Sequence, residues 1–108
     1  MEAMEKCKVI NLEELNSLRH TAFNKEEQKL IRDISFRLKF YPGTQYFKTI
    51  FQQASDMLHD IGDTDDIDVQ VIAISRWKNW VKHLNIDVLN FLYEVADEKE
   101  ISDRLFFN

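Results

Sequence analysis

The hydrophobic positions of this chain recur mostly at steps of three and four, the spacing of one face of an α-helix. The clearest case runs from Thr44 to Gly62. There Phe47, Ile50, Ala54, Met57 and Ile61 form a stripe flanked by Phe51 and Leu58, and all seven are expected to be buried. Pro42-Gly43 interrupts whatever precedes this helix. Thr44 is placed to cap it through its hydroxyl, and Gly62 to end it in the left-handed conformation.

Upstream, residues 1–6 are expected to fray. Asn11 is a good N-cap for a short helix with Leu12, Leu15 and Leu18 apolar, reaching about Ala22. Asn24 caps the next helix, with Glu27 three residues on as in a capping box, and Phe23 ready to staple onto it. Ile31, Ile34, Leu38 and Tyr41 form its stripe, widened by Leu30, Phe36 and Phe40.

Downstream of Gly62 comes an acidic linker, DTDDID. The stretch Ile67–Ile74 then supports two readings. Its β-branched, partly alternating residues suit a strand, which would give an α+β fold with a short two-stranded element formed with the segment near Val9. Ile67, Val71, Ile74, Trp77, Val81 and Leu84 also fall at helical spacing. Two strands alone are marginal, so the favoured reading is one helix from about Asp66 to Leu84. Asn85 or Asp87 caps a further helix with Val88, Leu89, Leu92, Val95 and Ala96 apolar. A polar break, ADEKE, precedes a last turn or short helix from Ile101 to Phe107. The predicted fold class is all-α, a compact bundle of four to five helices in a single domain spanning 1–108.

Composition supports this. Two Gly and one Pro in 108 residues leave little material for the turns of an all-β fold. With 44% hydrophobic residues, a core can form without staples. The lone Cys7 cannot form an internal disulfide, which places the protein in a reducing compartment, the cytoplasm. No signal peptide and no apolar run of about 18 residues is found, so no membrane span is expected. The net charge of −5 repels nucleic-acid backbones and suits a basic partner.

Candidate chemistry begins with Leu58-His59-Asp60-Ile61-Gly62. This string resembles the motif of the HD family of metal-dependent phosphohydrolases, all-helical enzymes in which an adjacent His and Asp bind metal. The resemblance implies an upstream His, for which His20 is available, and a downstream Asp, for which Asp87 or Asp103 is available. Helical geometry opposes it: His59 lies about 160° from the centre of its helix's apolar stripe and should face water. The acidic cluster from Asp56 to Asp68 lacks the Gly and Glu of a calcium loop. Counted from Asp63, the sixth position is Asp68 and the twelfth Ile74. It reads as a solvated linker that supplies N-caps. No metal, cofactor or catalytic residue is assigned.

Trp77 and Trp80 stand among Arg76, Lys78, Lys82 and His83, a pattern that nucleic-acid binders use. The acidic balance weakens that reading. Trp77 is expected in the core and Trp80 at its edge, where Trp80 and Arg76 could anchor a protein contact. The tail Leu105-Phe106-Phe107 either docks over the core or meets another chain. Cys7, between Lys6 and Lys8, reads as an ordinary thiol.

With two Trp, three Tyr and eight Phe, so small a domain should leave aromatics near its surface. The expected function is binding another protein without catalysis, of inhibitor, immunity, antitoxin or mobile-element accessory type. The partner surface is expected at Trp80, Arg76, Phe106 and Phe107, rimmed by Asp63, Asp65 and Asp66. The partner is another protein of basic character or a second copy in a homo-oligomer. The alternatives are the HD-type phosphohydrolase and a helical regulator that contacts nucleic acid.

Overall fold

A computed structural model describes Glu13, Asn16 and residues 18–107. Among these residues the chain forms a 3-10 turn at Arg19–Thr21 and five helices, with no strand. The helices are α1 (Lys25–Lys39), α2 (Gln45–Gly62), α3 (Ile67–Val81), α4 (Ile86–Ala96) and α5 (Lys99–Phe106). The all-α bundle read from the apolar spacing is the fold observed. The expectations for residues 1–6, Cys7, Val9, Leu12 and Leu15 lie outside the described residues.

The start of α1 is the predicted capping box. The Asn24 side chain accepts from the Glu27 amide at 2.8 Å, and the Glu27 carboxylate accepts from the Asn24 amide at 2.8 Å. Gln28, Ile31, Ile34, Ser35 and Leu38 then form one buried face. Phe36 and Phe40 do not widen it. They lie about 140–180° round the helix from Ile31 and Leu38. Both are exposed, at 66% and 62%, with their rings packed edge-on at 4.7 Å.

α2 packs along α1, and polar groups set how close the two approach. Ser35 and Ser55 meet at the interface, and Gln28 Nε2 donates to the carbonyls of Ile61 (3.1 Å) and Thr64 (2.7 Å). Three expectations for α2 need correction. Thr44 has N-cap geometry, but its hydroxyl makes no capping bond. Gly62 is the last helical residue and is not left-handed; Asp63 ends the helix, its amide donating to the His59 carbonyl at 2.9 Å. Glycine is used there for space: a Cβ would sit 2.7 Å from Arg32 Cγ and 3.0 Å from the Gln28 carbonyl oxygen. The buried face is also rotated. Phe51, Ala54, Leu58 and Ile61 are buried as expected, but Phe47, Ile50 and Met57 are half-buried, and Ser55 and Gly62 take the positions against α1.

The stretch Ile67–Ile74 is helix. The Asp66 carboxylate accepts from the amides of Asp68 (2.9 Å) and Val69 (3.2 Å), fixing the start of α3. Gln70, Val71, Ile74, Trp77 and Val81 are its buried residues. α3 stops at Val81, short of the expected Leu84. Asn85 caps α4 through a 2.7 Å bond from the Asp87 amide, and Asp97, at φ 53°, closes it in the left-handed conformation. α5 then returns to the core. Trp77 is fully buried, and its indole N–H donates to the Leu105 carbonyl at 2.9 Å. Leu105 and Phe106 are buried and Phe107 is exposed, so the tail docks on its own domain.

Candidate functional site

α3 carries two apolar faces. One is the core face described above. The other is Val69, Ile72, Ala73 and Trp80, with Arg76 among them, at steps of three, one, three and four. Val69 is 50% exposed, while Ile72, Ala73 and Trp80 are half-buried. Trp80 rests against Trp77 with ring centroids 5.5 Å apart, so its position is fixed from below.

This second face borders an open groove of about 470 Å³ between α2 and α3. Val69, Ile72, Ala73 and Arg76 line one side, and His59, Asp60, Asp63 and Thr64 the other. The electrostatics differ along the α2–α3 connection. Lys25 holds Asp65 at 2.7 Å, and that hydrogen bond and charge lower the Asp65 carboxyl below its usual range. Arg19 holds Asp68 through two bonds, 2.9 and 3.1 Å, which raise the basicity of its guanidinium. Asp66 is spent as a cap. Asp60 and Asp63 are exposed and form no ion pair among the described residues. The groove rim therefore keeps negative charge that its neighbours lose to internal cations.

His59 and Asp60 also line a second groove, of about 550 Å³, against Arg32, Phe36 and Lys39 of α1. They occupy the outward ridge of α2 between two grooves, facing water as helical geometry requires. The ligand set implied by the HD resemblance is not gathered around them. His20 lines a separate cavity of about 250 Å³ with Phe23, Lys78 and Arg104. The Asp103 carboxylate accepts from the Tyr93 hydroxyl at 2.7 Å and pairs with Lys99 at 3.3 Å. Among the described residues no three His, Cys, Asp or Glu side chains are grouped to hold a metal ion.

The bases near the tryptophans do not form one stripe. Arg76 faces the α2–α3 groove, while Lys78 lines the small cavity, where burial and then the nearby Arg104 lower its pKa. Arg104 donates to the Glu27 carboxylate at 2.7 Å and lies 4.2 Å from the centre of the Phe23 ring.

Of the predicted partner residues, Arg76 and Asp63 meet in one groove, and Trp80 extends the same face of α3. Asp65 and Asp66 stand beside the groove but are engaged by Lys25 and by the helix start. Phe106 is not available: it is 7% exposed and packs against Trp77 and Tyr93. Phe107 is exposed and leans on Tyr93 at 5.2 Å, away from the groove-lining residues. Asp60 enters the sequence reading only through the HD-type string and the acidic cluster, and Val69, Ile72 and Ala73 are not singled out there. Their signal was an apolar pattern on α3 too broad for a single buried stripe. Among the described residues no helix is long and apolar enough to cross a membrane. No protein-family model, curated protein or solved structure matches the chain.

Proposed function

We propose that this chain binds another protein, without catalysis of its own, through the outer face of α3 and the α2 rim beside it. The observation that carries this reading is the outer apolar edge of α3: Ala73 and Trp80 reach the core with part of their surface, while Val69, 50% exposed, and half-buried Ile72 face an open groove and are not among the residues packed on that core. Apolar surface bordered by charge is the usual composition of a contact site, and Trp80 and Arg76 belong to the residue types that dominate binding energy. Small size and a net charge of −5 suit an inhibitor, immunity, antitoxin or accessory role in the cytoplasm.

The test is capture from a lysate of the native host with three immobilised proteins: wild type, Val69→Asp and Phe36→Asp. Both substituted positions are exposed helix positions, so both variants should fold. A partner retained by wild type and Phe36→Asp but lost by Val69→Asp supports the reading. A partner lost only by Phe36→Asp would move the site to the Phe36-Phe40 face of α1. Capture of nothing, with wild type monomeric by light scattering at high concentration, would overturn it.

A further inference from the structure

We infer that the occupant of the α2–α3 groove is one amphipathic helix of a partner protein, with apolar residues on the side facing α3 and Lys or Arg along its flank. This rests on the protein-binding reading above and specifies the partner's chemistry. Helices α2 and α3 keep their main-chain groups within their own hydrogen-bond ladders, so neither offers an edge to an extended peptide. Recognition must run through side chains. The apolar positions Val69, Ile72, Ala73 and Trp80 extend over about 17 Å of α3, roughly three turns, and present the ridges into which a second helix packs. On the α2 side, Asp60 and Asp63 stand exposed without internal cations among the described residues, whereas Asp65 and Asp68 have theirs. A basic flank on the incoming helix would supply the missing charge, and the protein's net charge of −5 would draw such a helix in. Arg76, on the α3 side, sets a direction: it meets an acidic or polar position on the opposite flank.

Binding of synthetic peptides, followed by tryptophan fluorescence, tests this. Trp77 is buried, so a change on binding reports Trp80. The probes are a helical peptide with Leu at every third or fourth position and Lys on its flanks, the same peptide with Glu for Lys, and a scrambled Lys peptide. The Lys helix should bind and alter the emission, and should weaken as salt rises from about 50 to about 500 mM. Asp60→Asn and Asp63→Asn should each weaken it by up to about fivefold. Val69→Asp should abolish it. Equal binding of the scrambled peptide, preference for the Glu helix, or unchanged binding by Val69→Asp would each overturn the helix proposal. Failure of every peptide would overturn it too, while a captured partner lost by Val69→Asp would leave the protein-binding reading standing.

Discussion

Ser35 and Ser55 bond reciprocally across the α1–α2 interface: each hydroxyl donates to the other residue's carbonyl, at 2.7 and 2.8 Å, with the two oxygens 3.0 Å apart. Each hydroxyl has one proton, so both cross-helix bonds can exist together. Both residues are buried. Ser35→Ala or Ser55→Ala should each cost about 0.5–1.5 kcal/mol, because the carbonyls keep their helix partners. Ser55→Leu should cost about 1–3 kcal/mol by forcing the helices apart. Urea unfolding measures all three, and a neutral Ser55→Leu would contradict the close packing.

Gly62→Ala pits propensity against space. Alanine in place of glycine favours a helix by about 1 kcal/mol. Here the added Cβ would lie 3.0 Å from the Gln28 carbonyl oxygen, and backbone yields less readily than the Arg32 side chain 2.7 Å away. It would also disturb the 2.5 Å bond from the Arg32 guanidinium to the Gly62 carbonyl. The variant should be less stable by about 1–3 kcal/mol despite the better propensity. A gain in melting temperature would show that α1 and α2 have room to separate.

Removing Leu105 to Phe107 should damage folding before it damages any association. The deletion takes out two buried side chains and leaves the buried Trp77 indole N–H without its Leu105 acceptor. Losses of several kcal/mol follow, most of a small domain's stability. Phe107→Ala, at an exposed position, should fall within about 0.5 kcal/mol of wild type. Circular dichroism melts of both variants check the contrast.

Helix spacing and some caps are local chemistry, so the Asn24-Glu27 box, a helix start near Asp66, a cap at Asn85 or Asp87 and the bundle itself are legible in the chain, whereas the caps expected of Thr44 and Gly62 do not form. The side of each helix that meets a neighbour is set by tertiary packing. Ser35, Ser55 and Gln28 look like surface residues by type, yet they line the α1–α2 contact because their bonds are completed there. Phe36 and Phe40 look like core by type, yet they sit opposite the stripe. Ile67–Ile74 was ambiguous because β-branched residues suit either state; Asp66 and the buried set from Gln70 to Val81 decided it. Of the candidate site, Trp80, Arg76 and Asp63 were legible as residue types. The groove that joins Asp63 and Arg76 depends on how α2 and α3 are placed.

The Tyr93 hydroxyl donates to Asp103, and that bond raises the phenol's pKa above its ordinary value; desolvation and the Asp103 charge act in the same sense. The stabilising contribution is therefore present below the unfolded tyrosine pKa and is lost as pH rises through the higher folded one. Asp103→Asn should bring Tyr93 ionisation back towards the ordinary range, followed by ultraviolet absorbance of tyrosinate. An unchanged titration would mean that the bond does not persist in solution.

The most direct measurement of the binding surface is amide chemical-shift mapping of the labelled protein as the captured partner is added. Shifts should concentrate at Asp60, Asp63, Val69, Ile72, Ala73, Arg76 and Trp80, with Phe36 and Phe40 unmoved. Shifts centred on Phe36 and Phe40, with the outer face of α3 silent, would contradict the proposed surface.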